Sequence, residues 1–388
     1  MIGFRMPTRV HIEPGATARL PEAARALGIQ SALLVVDPGL REATEWPTMV
    51  ERALEDTGIR TQIFDRVEPN PRTTTATAAS DAMREAELDG VVALGGGSVL
   101  DAAKAAAMLA TNELRVTQYE GKNRYAETPK PMIAIPTTCG TGSEVTWVSV
   151  LTHEPTRSKI SVKGESMFPD QALVDADLLR TLPANLVAWT GVDALTHAVE
   201  CVTCQAANAV SDALAYRAAA LIFHFLERAV SDIGGDDEAR EAMARASTLA
   251  GLAFGNADVA AVHCLSEALG GLYDVPHGLA NAVLLGPVMR YHRPIAADRL
   301  AALDRAVFPE RASAPTDECA DHILDAIDEL CRRVDIPAYD TLGVQLDDYA
   351  QLAETAVRNG SNRSNPQPMS PSSYREILES LTAVGSAS

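Results

Sequence analysis

The chain has 388 residues, and its 33 lysines and arginines stand against 52 aspartates and glutamates, which gives a formal net charge of −19. Such an acidic chain lacks the basic surface that binds nucleic-acid phosphates or anionic membranes, so neither is an expected partner. No stretch has the ~18–20 continuous apolar residues of a membrane span, the first residues do not resemble a signal peptide, and the cysteines are too few for a disulfide framework. We expect a soluble cytoplasmic protein, and ~100–200 residues per domain suggest two or three domains.

The first half of the sequence alternates between apolar runs and helical patterns. Strands are predicted at 31–37, 61–67, 90–94 and 131–136, and helices at 42–57, 73–88 and 99–110. Such alternation predicts a parallel sheet with helices on its faces. After Leu182 and Pro183 the pattern is almost entirely helical, with helices at 186–207, 211–229, 237–254, 318–334 and 346–358 and one from Tyr374. The predicted fold is an α/β Rossmann-like domain over residues 1–183, followed by an all-α domain over 184–388.

Two glycine-rich loops follow predicted strands. Residues 95–98 (GGGS) precede a helix, where glycines let the backbone approach a ligand and the helix N-terminus offers N–H groups to a pyrophosphate. The spacing of Ser98 and Asp101 also fits a capping box, which needs no ligand and is compatible with cofactor binding. Residues 136–144 (PTTCGTGSE) supply several hydroxyls that can surround a polar ligand.

Asp37 ends the first predicted strand. An acid at that position can accept hydrogen bonds from ribose hydroxyls and would repel a 2′-phosphate, which favours NAD over NADP. The alternative is ordinary turn chemistry before Pro38 and Gly39.

A candidate metal site lies in the second half. Asp193 and His197 are four residues apart on a predicted helix, so they share one face, although such polar pairs are common on helices. His263 and His277 supply two more imidazoles, and one carboxylate with three imidazoles suits Fe(II), Zn or a similar ion.

A second candidate for metal or redox chemistry is the C-x-x-C of residues 201–204. It lies inside a helical pattern without a second such pair, which favours a structural role.

Four segments, in order, resemble motifs of the iron-containing (group III) alcohol dehydrogenases, and the resemblance covers nearly the whole chain. Residues 95–104 (GGGSVLDAAK) resemble the family's GGGSxxDxAK, and residues 136–144 resemble its PTTxGTGSE. Residues 191–200 (GVDALTHAVE) are similar to the helix that holds two metal ligands, and residues 275–281 (VPHGLAN) are similar to the segment that holds the last one.

The resemblance implies a dehydroquinate synthase-like fold and an NAD-linked dehydrogenase of a small alcohol, or reductase of a small aldehyde. In that chemistry a metal polarises the substrate oxygen and a hydride passes to or from nicotinamide C4. The implied ligands are Asp193, His197, His263 and His277, with Fe(II) the expected metal and Zn the alternative. His263 and His277 are also taken as catalytic, and a homodimer or larger homo-oligomer is expected. The implied cofactor contacts are Asp37, Gly95, Gly96, Gly97, Ser98, Asp101, Thr137, Thr138, Thr141, Ser143, Lys159, Leu178 and Leu182.

One position departs from the family. Many members carry a histidine four residues after the third ligand, where this chain has Glu267. Glu267 is interpreted either as a catalytic group that relays the alcohol proton or adds negative charge to the substrate pocket, or as a substitution without effect, turned to solvent or bonded to a neighbour.

Other functions stay open. A metal-free enzyme like the maleylacetate reductases is one alternative, and a catalytically silent nucleotide-binding relative is another. The full ligand set argues against both. Trp147 and Phe254 are candidate pocket residues, which would favour a small apolar or neutral polar alcohol.

Overall fold

The computed structural model describes residues 3–385, and the chain divides into two compact units. The α/β unit comprises Met6–Leu182 and Ile233–Thr248. Among the described residues, the helical unit comprises Pro183–Asp232, the chain from Leu249 onward and residues 3–5.

Nine strands and five helices build the main part of the α/β unit. In chain order they are β1 (Arg9–Ile12), α1 (Leu20–Ala26), β2 (Ser31–Val35), α2 (Pro38–Ala43), α3 (Trp46–Glu55), β3 (Arg60–Phe64), α4 (Thr73–Glu85), β4 (Gly90–Gly95), α5 (Gly97–Leu109), β5 (Gly121–Lys122), β6 (Met132–Pro136), β7 (Val148–His153), β8 (Ser158–Lys163) and β9 (Gln171–Val174).

The main sheet has six strands in the order β1-β9-β6-β4-β2-β3, and all its pairings are parallel. Its central strands are buried on both faces, as a sheet covered by helices requires. The carboxyl ends of β2, β4 and β6 therefore lie at one edge, and they are followed by Asp37, the 95–98 loop and the 136–144 loop. That edge is where ligands bind in open parallel sheets.

The structure corrects two predicted elements of this unit. The helix predicted at 42–57 is two helices, because Thr44 has an extended backbone and Pro47 lies in the first turn of α3, where proline is favoured. The antiparallel pair β7–β8, which joins β5 in a second sheet, was not predicted. These strands are half-exposed and rich in polar residues, so they lack the apolar run that marks a buried strand.

Eight α-helices follow β9 in the described part of the chain. They are α6 (Ala184–Thr203), α7 (Ala209–Asp232), α8 (Asp237–Phe254), α9 (Ala261–Tyr273), α10 (His277–Val307), α11 (Thr316–Arg333), α12 (Tyr349–Arg358) and α13 (Pro371–Gly385). By length and composition α7 alone among the described helices could cross a membrane. It packs against α6, and most of its buried residues are alanines and leucines.

The segment Ile233–Thr248 lies with the α/β unit, whereas the sequence analysis assigned it to the helical part. Arg240 explains the placement. Its guanidinium is buried and pairs with Asp177 at 3.5 Å and with Asp237 at 2.5 Å, and it also donates to the carbonyl of Ile233.

Candidate functional site

Four side chains converge in the helical unit. Asp193 and His197 lie one turn apart on α6, His263 lies in the first turn of α9, and His277 is the first residue of α10. One ligand atom from each lies within 4.8 Å of the others. The predicted clustering is thereby confirmed, whereas their role as metal ligands stays a prediction.

The cluster suits a cation, because one of its oxygens has no hydrogen-bond donor. Oδ2 of Asp193 is buried without a partner among the described residues, while Oδ1 accepts from Nδ2 of Asn281 at 2.6 Å. A buried carboxylate oxygen without a donor is costly, and a divalent ion would remove that cost. One carboxylate and three imidazoles match the ligands that iron and zinc accept.

Asn281 lies closer to the cluster than the sequence analysis recognised. Its Nδ2 is also 3.1 Å from Nε2 of His263 and 3.1 Å from Nε2 of His277. It follows His277 by one helical turn and is fully buried. The sequence signals were this i,i+4 spacing from a ligand and the place of Asn281 at the end of the 275–281 motif.

Glu200 is the second residue that the sequence analysis missed. It is fully buried, and its carboxylate lies 2.6 Å from Nδ1 of His263. Burial acts to lower the pKa of His263, but the hydrogen bond and charge of Glu200, aided by Asp193, more than offset this, so the pKa is raised.

Packing fixes the rings of the cluster. Phe254 stacks on His197 with ring centroids 4.2 Å apart, whereas Trp147, the other candidate pocket residue, packs against Lys122 in the α/β unit. Gly278 allows α10 to begin close to α6, because a Cβ there would lie 2.9 Å from the carbonyl oxygen of Trp189. His277 keeps about a third of its side chain exposed (32%), so the cluster is open on its side.

Glu267 is not among the four clustered residues in the described chain. Its Oε2 accepts a hydrogen bond from Nδ2 of Asn359 at 2.7 Å, and it is the one residue of 261–270 that is not buried. This bond matches the interpretation in which Glu267 has a neighbouring partner, and the residue as a whole is half-buried.

The two glycine loops pack against each other in the α/β unit. A Cβ on Gly97 would lie 2.5 Å from Cγ2 of Thr141, and one on Gly96 would lie 2.9 Å from Cγ2 of Thr138. Only glycine permits this approach, which brings Thr138 and Thr141 to the start of α5; their contact with a cofactor stays a prediction.

The predicted capping box is wrong. Gly96 is the N-cap of α5, so Ser98 already lies within the helix, and no described side chain caps it. The side chain of Asp101 instead accepts hydrogen bonds from Ser143 Oγ at 2.7 Å and from the backbone amide of Val150 at 2.9 Å.

Lys104, on α5, belongs to the same hydrogen-bond network as Asp101 and Ser143. Its buried ammonium donates to Ser143 Oγ at 2.7 Å, to Thr146 Oγ1 at 3.1 Å and to the carbonyl of Val148 at 2.9 Å. These bonds give Asp101 and Ser143 a structural role, and their contact with a cofactor stays a prediction.

The other predicted cofactor contacts lie in the same unit. Asp37 is the N-cap of α2, with Oδ1 accepting from the amide of Leu40 at 2.8 Å, so turn chemistry is present. Lys159 on β8 donates to Oδ1 of Asn70 at 2.7 Å. Gly95 is the last residue of β4, and Thr137 follows β6 directly. Leu178 and Leu182 lie after β9, near the end of the segment Met6–Leu182.

The C-x-x-C has the structural role that the sequence favoured. Cys201 and Cys204 are buried free thiols at the end of α6. Burial raises the pKa of Cys201 and raises that of Cys204 to about 11, so neither is a reactive thiolate.

A parallel sheet with glycine loops at its carboxyl edge is typical of nucleotide-binding domains, and the carboxylate–imidazole cluster of the helical unit is a ligand set that a divalent metal accepts. Comparison with known proteins identifies the family. Residues 7–176 match "Iron-containing alcohol dehydrogenase", and residues 187–382 match "Fe-containing alcohol dehydrogenase family, C-terminal".

Named relatives are similar over almost the whole chain. Choline dehydrogenase of Bacillus subtilis (strain 168) is 35% identical over 379 residues, covering 97% of this chain and 94% of its own. NAD-dependent methanol dehydrogenase of Bacillus methanolicus is 33% identical over 380 residues, which cover 98% of this chain and 99% of the relative. The crystal structure of a 1,3-propanediol oxidoreductase is 37% identical with a TM-score of 0.94, covering 98% and 100%.

The chain belongs to the iron-containing alcohol dehydrogenase family. It is accordingly an alcohol dehydrogenase that uses a nicotinamide cofactor. The predicted family, fold class and enzyme class are confirmed.

Proposed function

We propose that this enzyme interconverts a small alcohol and its aldehyde with NAD, using a metal held by Asp193, His197, His263 and His277. The single observation that carries the ligand assignment is the convergence of these four residues, with ligand atoms within 4.8 Å of one another, at an aspartate that has a buried oxygen without a donor. A metal-free reductase or a silent relative would have no need of that buried charge.

In this proposal the helical unit binds the metal and the α/β unit binds NAD. Asp193 brings one negative charge and the imidazoles bring none, so the set leaves a divalent ion with net positive charge. When bound, such an ion supplies Lewis-acid polarisation of a substrate oxygen, and bound NAD supplies a hydride acceptor at nicotinamide C4. His277, the partly exposed ligand, borders the open side of the cluster, and Phe254 fixes His197 by stacking. The glycine loops offer backbone amides to the pyrophosphate.

The test combines metal analysis with one substitution. His277→Ala should lose most bound metal and most turnover while still quenching NADH fluorescence on binding. Activity should return to the chelated wild-type enzyme on adding Fe(II) or Zn, and we propose Fe(II) as the native ion. Wild-type activity in the chelated His277→Ala variant would contradict the ligand set.

Location and assembly are further proposals. We propose a cytoplasmic homodimer or larger homo-oligomer, as sequence composition and family resemblance suggest. Size-exclusion chromatography with light scattering would test the oligomer, and a single-chain mass would reject it.

A second candidate substrate class is a cationic alcohol, and Glu267 is the observation that favours it. The structure describes no lysine or arginine within ion-pair distance of Glu267, and its Oε2 accepts from the neutral Asn359 amide. A half-buried glutamate one helical turn from His263 suits a cation and repels an anion. The relative from Bacillus subtilis is named for choline, a quaternary ammonium alcohol.

This candidate is tested with matched substrates. Choline should be preferred to its neutral isostere, in which carbon replaces the nitrogen, and Glu267→Gln should reduce that preference about tenfold. Glu354→Gln removes an exposed charge from α12 and is the control. Equal use of both substrates by wild type would leave the neutral alcohol as the substrate class. An altered pH profile of turnover in Glu267→Gln would instead support proton relay.

A further inference from the structure

A buried carboxylate outside the four proposed ligands holds one of them in place. Glu200 lies three residues after His197 on α6, and its side chain is fully buried. Its carboxylate accepts hydrogen bonds from the backbone amide of Val262 at 2.6 Å and from that of Ala260 at 2.9 Å. The third contact is with Nδ1 of His263, at 2.6 Å. These three contacts satisfy the hydrogen-bonding capacity of the buried carboxylate without any contact with water.

Two of these donors are backbone amides at the start of α9, which have no hydrogen-bond acceptor within the helix. The N-cap residue, Ala260, has no side chain that could accept from them, and the first turn contains no acidic residue. Glu200 therefore caps α9 from another helix, where its negative charge also interacts favourably with the helix dipole. The same carboxylate thus fixes the position of the turn that carries His263.

The third contact decides which ring nitrogen of His263 carries the proton. An ionised carboxylate only accepts hydrogen bonds, so Nδ1 of His263 must be the donor. In the neutral ring Nε2 then keeps its lone pair. Nε2 is the nitrogen that faces the cluster, 3.0 Å from Nε2 of His197 and 3.1 Å from Nδ2 of Asn281.

We propose that Glu200 is a positioning residue that fixes His263 as the Nδ1–H tautomer, with Nε2 directed at the metal. The inference rests on the proposed ligand set. A carboxylate that accepts from a ligating imidazole orients the ring and increases its basicity. Glu200 also bears a negative charge beside the site, which would favour a divalent ion over an empty cluster.

The competing explanation is that Glu200 only caps α9. A cap affects stability with or without metal, whereas a positioning residue also affects metal affinity. Glu200→Gln separates the two explanations. Glutamine keeps one oxygen that can accept from a backbone amide, but its NH2 group cannot accept a hydrogen bond from Nδ1–H of His263. Zn(II), measured in competition with a chromophoric chelator, is the probe.

We expect Glu200→Gln to bind Zn(II) roughly 10–100-fold more weakly than wild type. The matched control is Asp304→Asn. Asp304 is a fully buried carboxylate in the same unit that bonds Nδ1 of His322 at 2.6 Å, and neither residue belongs to the cluster. This variant should lose stability and keep its Zn(II) affinity. Unchanged affinity in Glu200→Gln would overturn the inference.

A measurement on the wild-type protein keeps the inference testable if that variant does not fold. Nitrogen-15 ring shifts of the metal-free protein at alkaline pH, where imidazoles are neutral, should show His263 protonated on Nδ1. Protonation on Nε2 would overturn the inference. His277→Ala separates the two proposals: if it weakens Zn(II) binding and Glu200→Gln does not, only the role of Glu200 fails. If neither weakens it, the ligand set fails.

Discussion

At the scale of single residues, Asp37 combines a charge with a helix cap, and the two can be separated. Asparagine keeps an oxygen for the Leu40 amide and removes the charge that would repel a 2′-phosphate. We expect Asp37→Asn to lower the NAD-over-NADP ratio of kcat/KM by at least about tenfold, with little change in melting temperature. Asp56→Asn, an exposed acid at the end of α3, should change neither. An unchanged coenzyme ratio would leave Asp37 as a cap alone.

Glu144 gives a pH dependence whose sign follows from its burial. Burial raises the pKa of this carboxyl, against the hydrogen bond from Thr248 and the charge of Lys104. The folded chain therefore keeps the proton to higher pH than the unfolded chain, whose ordinary value is 4.5. In the window above that value the folded state binds more protons, so the contribution of Glu144 to stability falls as pH rises.

Glu144→Gln cannot ionise and keeps an acceptor for Thr248. Its melting temperature should fall less than that of wild type between about pH 5 and about pH 7. Glu113→Gln, which changes an exposed acid in the same unit, should follow the wild-type curve. Parallel curves for Glu144→Gln and wild type would contradict the assignment.

Most of the residues that sequence reasoning found differ in one physical respect from Glu200 and Lys104, whose contacts it missed. Asp193, His197, His277 and the glycines belong to short motifs that are visible along the chain, as does Asn281, which was overlooked. Glu200 acts through residues 60 to 63 positions away, and Lys104 acts through residues 39 to 44 positions away. Such roles depend on which segments meet in the fold, and local patterns carry no information on that.

At the scale of elements, Lys104 joins α5 to the start of β7 and to the loop after β6. Its substitution by methionine keeps the bulk but leaves two hydroxyls and a carbonyl without their donor. Each unsatisfied buried group costs about 1–3 kcal/mol. We expect Lys104→Met to melt several degrees lower and to raise KM for NAD more than it lowers kcat, because the second glycine loop loses its support.

The matched control is Lys130→Met, a partly exposed lysine of the same unit, which should leave both quantities unchanged. If Lys104→Met lost stability with an unaltered KM for NAD, the network would be structural only. Burial of the ammonium lowers the pKa of Lys104, with Asp101 and Glu144 opposing the shift, so this support depends on its partners.

Element boundaries show where sequence patterns lose precision. Helix α8 begins and ends where the periodicity predicted, because its amphipathic pattern is uninterrupted. Helix α10 was not delimited, since Pro287 and Pro294 lie inside its 31 residues and prolines normally predict a break.

At the scale of the whole molecule, the two chemistries lie in different units. All four proposed ligands belong to the helical unit, and both glycine loops belong to the α/β unit. The net charge of −19 has little bearing on this division, because only Asp193 of the 52 acids is a proposed metal ligand and only Asp37 and Asp101 are predicted cofactor contacts. Metal and cofactor binding should therefore respond to different perturbations.

Metal removal tests this division directly. An ion that binds only the folded state stabilises it by about 4 kcal/mol when its free concentration is a thousand times Kd, so chelation should lower the melting temperature by several degrees. The chelated enzyme should still bind NADH, as seen by fluorescence quenching, because the loops do not supply metal ligands. Adding Zn(II) should restore the melting temperature of wild type but not that of His277→Ala. Loss of NADH binding on chelation would contradict the separation, since it would mean that the metal supports the nucleotide loops as well.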